Sequence, residues 1–187
     1  MHHHSRVQRV LSLDVRSKTL AYAVFEDAAQ LLDFSVSSSA DAGFQARRIE
    51  KLVGKFQPEI IVLRKIQEGS SRDTPATREA IKSICFMARR LSVPVASIEK
   101  RAIGDTFRQH CKPTKYRIAL LLAACFPALT WYVPRERKPW KPEDRRMHYF
   151  DAAATGIAYF ASEGTAEAVQ KFLSEAESRI QPPAHSA

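Results

Sequence analysis

Glycine is scarce in this chain, with six among 187 residues. There is no G-x-x-x-x-G-K loop, no G-x-S-x-G elbow and no G-x-G-x-x-G turn, which excludes glycine-cradled nucleotide sites and nucleophile-elbow hydrolases. Cysteine is sparser still. Cys85, Cys111 and Cys125 stand far apart with no C-x-x-C, so a thiol redox pair and a disulfide scaffold are excluded. They read as reduced thiols of a cytoplasmic protein, two of them in helical patterns where cysteine serves as a small apolar residue. His110-Cys111 has no partners at zinc-finger spacing. Long apolar runs are missing as well: the longest, Ile118 to Phe126, falls far short of the roughly 20 residues that cross a bilayer. No secretory leader and no basic amphipathic helix are expected, so no membrane partner is.

What the chain has is positive charge. Its 29 Lys and Arg against 20 Asp and Glu leave a formal net charge of +9, which suits a polyanion such as nucleic acid. The other reading is a solvated basic surface with no partner. With 45% hydrophobic and 26% charged residues the chain is an ordinary folded protein, long enough to bury a core without metal or disulfide staples. No internal repeat or linker divides it. Residues 1–6, with His2, His3 and His4, are expected to be a disordered, tag-derived tail. Residues 7–162 make one domain, residues 163–180 a C-terminal helix, and residues 181–187 a disordered tail.

Hydrophobic periodicity orders the elements. Val7 to Val15 alternates as a strand, with Leu11, Leu13 and Val15 on one face and Val10, Ser12 and Asp14 on the other. After a polar turn at Arg16-Ser17-Lys18, Thr19 to Glu26 and Gln30 to Ser38 predict two more strands of an antiparallel meander. Phe44, Ile49, Leu52, Val53 and Phe56 share a helical face that Pro58 ends. Ile60 to Leu63 is a short unbroken apolar run, the mark of a parallel strand covered on both faces. A polar loop covers Glu68 to Asp73. Thr74 and Pro75 start a helix with a stripe of Ile81, Ile84, Cys85, Ala88 and Leu91, and Val93 to Ile98 is a fifth strand. Helices follow at Glu99 to about His110, Thr114 to Phe126, about Asp144 to Ser162, and Thr165 to Arg179. Trp131 to Lys141 is a Pro-rich basic loop.

Two aspartates are candidates for chemistry. Asp14 lies at the carboxyl end of the first strand, which in open α/β sheets faces the ligand crevice. It also fits a simple role in opening the turn before Ser17. Asp151 lies one turn from Met147, Ala154 and Ala158 of an apolar stripe, so it is drawn to the buried side, where a carboxylate needs a cation or hydrogen bonds. A salt bridge to one of the many Lys and Arg residues would satisfy it, and so would a metal. Asp144, His148, Asp151 and Thr155 stand at i, i+4, i+7 and i+11, a line that could share a divalent ion.

The strand-rich start VLSLDVRSKTLAYAVFE, the segment PEIIVLRKIQ and the helix HYFDAAATGIAYF occur in an order, and at separations, that resemble RuvC-type Holliday-junction resolvases. The resemblance spans roughly Val7 to Phe160. It implies a ribonuclease H-like α/β fold: a mixed five-stranded sheet, antiparallel meander then parallel strands, flanked by helices. It also implies a homodimer, since symmetric cleavage of a junction needs two sites. Carried over by position, Asp14, His148 and Asp151 would be catalytic residues and metal ligands, holding Mg²⁺, or Mn²⁺ in its place, to hydrolyse a phosphodiester. The resemblance has two departures. Arg64 stands where the family has a Glu, with Glu68, Asp144 or the more distant Glu99 as substitute acids, and the glycine after the first Asp is missing.

Around these positions lies a basic, aromatic surface. Arg135, Arg137, Lys138, Lys141, Arg145 and Arg146 crowd the loop before the Asp151 helix, with Trp131, Tyr132 and Trp140 among them, and Lys112, Lys115 and Arg117 open the preceding helix. Such residues grip phosphates and stack on unpaired bases. The expected function is a Mg²⁺-dependent, structure-specific endonuclease acting on branched DNA. The alternative is a nucleic-acid binder that keeps the fold and the basic surface but lost the metal pair through Arg64.

Overall fold

The computed structural model describes residues 8–39, 41–138 and 140–180. Three strands open the chain: β1 (Val10–Val15), β2 (Thr19–Asp27) and β3 (Gln30–Ser38). Helix α1 (Ala42–Phe56), strand β4 (Ile60–Arg64), helix α2 (Pro75–Arg90) and strand β5 (Val95–Ile98) follow. Helices α3 (Lys100–Phe107), α4 (Lys115–Cys125), α5 (Met147–Ser162) and α6 (Ala166–Ile180) complete it, with a 3-10 turn at Pro127–Tyr132.

The strands form one sheet in the order β3-β2-β1-β4-β5. The first three pair antiparallel; β4 runs parallel to β1, and β5 parallel to β4. This is the mixed five-stranded sheet that the order of elements and the resemblance imply. The pleat sends Leu11, Leu13 and Val15 to a core shared with α1 and α2. It sends Val10, Ser12 and Asp14 to the opposite face, where α5 lies with α3, α4 and α6 around it. Local chemistry sets the helix starts as read: Thr74 accepts from Thr77 N at 3.1 Å with Pro75 behind it, and Thr114 accepts from Arg117 N at 3.3 Å. All three cysteines are free, and burial pushes the Cys125 thiol up to about 12. Among the described residues no helix is long and apolar enough to cross a membrane.

Several expectations need correction. The stripe drawn for α5 understates it: from Met147 to Phe160 only Tyr149 is not fully buried, because the helix is wrapped by the sheet, α4 and α6. Phe44 is 42% exposed and Leu91 38% exposed, since each sits at an end of its helix where no element covers it. The fifth strand begins at Val95 rather than Val93, and α5 begins at Met147 rather than Asp144. Val7 of the first strand and both expected tails, with His2 to His4, lie outside the described residues.

Helix α5 reaches the sheet so closely because Gly156 has no side chain. A Cβ there would meet Phe25 Cε2 at 2.5 Å and Ser12 Oγ at 2.9 Å. Ser12 Oγ in turn lies 2.8 Å from the carbonyl of Ala152, tying the helix to β1. Gly156→Ala sets two effects against each other. Helix propensity favours alanine by at most about 1 kcal/mol, while overpacking a closed core costs about 1–3 kcal/mol. Phe25 is fully buried and edge-packed on Phe126 and Phe160, so it has nowhere to retreat. The variant is expected to be less stable than the parent, read as a lower urea midpoint at unchanged m-value. An equal or higher midpoint would show that the helix is not pinned here.

Candidate metal or anion site

The site assembles at the carboxyl ends of β1 and β4. Asp14 is 1% exposed. The parallel register pairs Ser12 with Val62 and Leu13 with Leu63, so one further step brings Arg64 level with Asp14. The opening turns of α5 add His148 and Asp151. Asp14, His148 and Asp151 each offer a ligand atom, and these atoms lie within 4.8 Å of one another. The three residues singled out by motif are therefore together, and the reading of Asp14 as a mere turn-opener is set aside.

Cations already fill the space between them. Arg16 donates from Nε to Asp14 Oδ2 at 3.0 Å and from Nη2 to Asp151 Oδ2 at 2.6 Å. Arg72 does the same from the other side, pairing through Nη1 with Asp14 Oδ1 and through Nη2 with Asp151 Oδ2 at 3.0 Å. Lys115 Nζ lies 3.0 Å from Asp151 Oδ2 and also pairs with Glu143, which meets Arg16 Nη1 at 3.2 Å. His148 Nδ1 lies 3.2 Å from Asp14 Oδ2. Against an ionised, acceptor-only carboxylate it must be the donor.

The electrostatics follow from these contacts. Burial pushes the Asp14 carboxyl up, but the His148 hydrogen bond and the Arg72 and Arg16 guanidinium groups outweigh it and hold Asp14 well below the usual carboxylate range. Burial raises Glu143 in the same way, and Lys115 and Arg16 outweigh it to leave that carboxyl lowered. Arg16 is raised: its burial cost is more than offset by Asp14 and Asp151. Arg64 goes the other way. Burial and then the charge of Arg72 lower it, and Asp151 and Asp14 only partly compensate.

As a two-ion metal centre the residues do not fit. Both oxygens of Asp14 and Oδ2 of Asp151 are taken by cations, and Arg64 stands in place of a bridging carboxylate. Four positive groups (Arg16, Arg64, Arg72, Lys115) face three negative ones (Asp14, Asp151, Glu143), so the site has a surplus of positive charge before any metal is added. Two unit charges 4 Å apart repel by about 4 kcal/mol at an effective dielectric of 20, and a divalent ion doubles that figure.

None of the substitute acids joins the cluster. Asp144 lies before α5, not on it, and is paired with Arg146 at 2.7 Å, which breaks the expected four-residue line. Glu68 is exposed in its loop. Glu99 pairs with Lys65 at 2.8 Å on the surface. Of the basic residues, Lys115 is drawn into the carboxylates, while Lys112, Arg117, Arg135, Arg137, Lys138, Lys141, Arg145 and Arg146 are exposed. Trp131 and Trp140 are 89% and 76% exposed, and Lys138 Nζ sits 5.5 Å from the Trp140 ring centre. Tyr132 is unsuited to stacking on bases, because its ring packs against Phe34 and Tyr149 at 5.4 and 4.5 Å.

Sequence reading missed Arg16, Arg72 and Glu143. Arg16 left a signal: it stands in the short polar turn two residues beyond Asp14, within reach of that carboxylate. Arg72 left none, because it lies in an irregular loop without periodicity.

The depressed Asp14 carboxyl has a consequence for stability against acid. Its folded pKa lies below the unfolded value of about 3.9, so its contribution is complete above that value and is lost as pH falls towards the folded one. Asp14→Asn removes the charge that balances Arg16 and Arg72. It is expected to cost on the order of 3 kcal/mol at pH 7 and to flatten the loss of stability below about pH 4. Urea midpoints from pH 7 to pH 2 measure both. A variant with the parent's acid profile would show that Asp14 is not held by these cations.

No protein-family model matches this chain, and no curated protein does. Solved structures do. The RuvC of Thermus thermophilus in complex with a Holliday junction substrate superposes with a TM-score of 0.63 at 18% identity, covering 84% of this chain and 97% of that one. Thermus thermophilus RuvC on its own gives 0.64 at 16% identity, over 82% and 95% of the two chains. The yeast mitochondrial Holliday junction resolvase Ydc2 gives 0.60 at 14% identity, over 90% and 84%. With the strand order and the flanking helices, these likenesses show that the chain has a ribonuclease H-like fold, the one seen in the RuvC-type resolvases.

Proposed function

We propose that this chain is a nucleic-acid-binding protein on a resolvase fold, in which arginine side chains neutralise the carboxylates that a nuclease of this fold would give to metal. The observation that carries this reading is the double bridge: Arg16 and Arg72 each span Asp14 and Asp151. A guanidinium offers five fixed N–H donors and no acceptor, so it satisfies two carboxylates at once without a cation from solution. The basic loop from Arg135 to Arg146, with the exposed rings of Trp131 and Trp140, supplies phosphate contacts and stacking faces beside that neutralised pair. The Thermus enzyme with the same fold binds a Holliday junction, and we take branched DNA as the substrate to test first. A homodimer goes with this reading, because a four-way junction is itself symmetric.

A metal-dependent nuclease is the second reading. It is favoured by the mutual approach of Asp14, His148 and Asp151, whose ligand atoms are spaced as those around one divalent ion would be.

One experiment separates the two. Gel shifts of a four-way junction and of a linear duplex, in EDTA and in Mg²⁺ or Mn²⁺, should show tighter binding of the junction, no need for metal and no cleavage. Metal-dependent cleavage that disappears in Asp14→Asn would establish the second reading instead. Arg64→Glu is expected to raise Mn²⁺ affinity measured by calorimetry, since it exchanges a cation for a ligand beside Asp14.

The triple variant Lys138→Ala, Lys141→Ala, Arg145→Ala should weaken junction binding and reduce the slope of log K against log salt. Each lost phosphate contact lowers that slope by about 0.9. An unchanged slope would place the binding surface elsewhere.

A further inference from the structure

Beside the carboxylates lies a crevice of about 390 Å³, and its lining is almost all of one sign: Arg16, Arg64, Arg72, Lys100, Lys115 and Arg137 face it, with Glu143 as the acid among the lining residues. A smaller cavity of about 90 Å³ adjoins it, and Arg64, Lys100 and Lys115 line both. These three cations stand at the neck between the two spaces.

Their states differ. Lys115 is spent on Asp151 and Glu143. Arg64 is half-buried at the end of β4, yet its guanidinium has no hydrogen bond or ion pair with any described residue. A half-buried guanidinium that faces the crevice beside Arg72, with no ion pair of its own, is free to take an anion from solution. Lys100 extends from the first turn of α3, where Glu99 makes no capping bond and the leading N–H groups carry the positive end of the helix dipole. Ser71 and Thr74 line the same space.

We propose that Arg64 and Lys100, with Lys115 behind them, bind one phosphate of a nucleic-acid strand directly, so that this crevice is an anion site where the fold elsewhere builds a cation site. This deepens the reading of the chain as a metal-independent nucleic-acid binder and rests on it. The fork of the Arg64 guanidinium suits two phosphate oxygens at once, and Lys100 adds a point charge. A phosphate bound there would convert Arg64 from an unpaired cation into a paired one.

The test uses the whole chain and two probes, inorganic phosphate and a four-way DNA junction. Wild-type protein should bind phosphate by calorimetry, and its melting temperature should rise in phosphate more than in chloride of equal ionic strength. Arg64→Ala should weaken phosphate at least tenfold and junction DNA about tenfold, with a salt slope lower by about one. Arg64→Lys, which keeps the charge but not the fork, should recover part of the loss. Lys51→Ala, at an exposed position of α1 on the opposite face of the sheet, should leave phosphate binding unchanged.

Without phosphate, Arg64→Ala should melt no lower than wild type, since it removes a charge that has no ion pair and that Arg72 repels. A lower melting point would mark Arg64 as structural and overturn the proposal. Phosphate and junction affinities equal to wild type in Arg64→Ala would also overturn it, while leaving nucleic-acid binding by the outer loop intact. DNA binding sensitive to Arg64 without measurable affinity for free phosphate would support the strand as the source of the anion. Phosphate binding through Arg64 in a protein that binds no DNA would keep the anion site and sink the wider reading of function.

Discussion

Asp14 and Asp151 are buried side by side, and two such carboxylates require positive charge in contact with them. In this chain the requirement is met from within. Arg16 comes from the turn after β1 and Arg72 from the loop before α2, and each reaches both Asp14 and Asp151. Three separate pieces of chain, the β1–β2 turn, the β4–α2 loop and helix α5, are thereby joined at one point. Lys115 and Glu143 extend the network to α4 and to the loop before α5. Removing Asp14 or Asp151 leaves Arg16 and Arg72 short of the charge that balances them.

The network can form only because α5 lies where it does. Its approach to β1 and β2 depends on Gly156 against Phe25 and Ser12, a contact with no room for a methyl group. Between one and a little over two turns towards the N-terminus, the same helix delivers Asp151 and then His148 to Asp14. Packing near the middle of the sheet therefore sets the geometry of the charges at the carboxyl ends of its inner strands. Thr155 stays neutral to the cluster by bonding back to the carbonyl of Asp151 at 2.8 Å. That leaves the carboxylate of Asp151 to the cations.

A shared fold carries different chemistry when a single strand position changes sign. Arg64 lies level with Asp14 at the end of a parallel strand, the place where a carboxylate would attract cations. A guanidinium at that point adds positive charge to a crevice already lined by Arg16, Arg72 and Lys115. The surrounding residues agree with the change, since arginine and lysine rather than further acids line the opening. The outer loop with its two exposed tryptophans is compatible with either chemistry, because contacts to a nucleic-acid backbone depend on charge and shape and not on cleavage.

Much of the architecture could be read in advance because it is written in short-range patterns. Alternation along β1 placed Ser12 and Asp14 on one face, the unbroken run Ile60 to Leu63 marked a doubly covered strand, and Thr74-Pro75 announced α2. The meeting of Asp14, His148 and Asp151 was legible through the ordered resemblance of three segments. The mismatch at Arg64 was visible too, since it is a matter of residue identity at a strand end. What one-dimensional patterns do not carry is the path of an irregular loop or the reach of a long side chain. Arg72 is 58 residues from Asp14 and Asp144 is seven from Asp151, yet it is Arg72 that touches the site. The sequence determined the sheet, its faces and the acids that end on them. Only the tertiary structure decided which cations meet those acids, because that choice follows from through-space charge balance in a buried crevice.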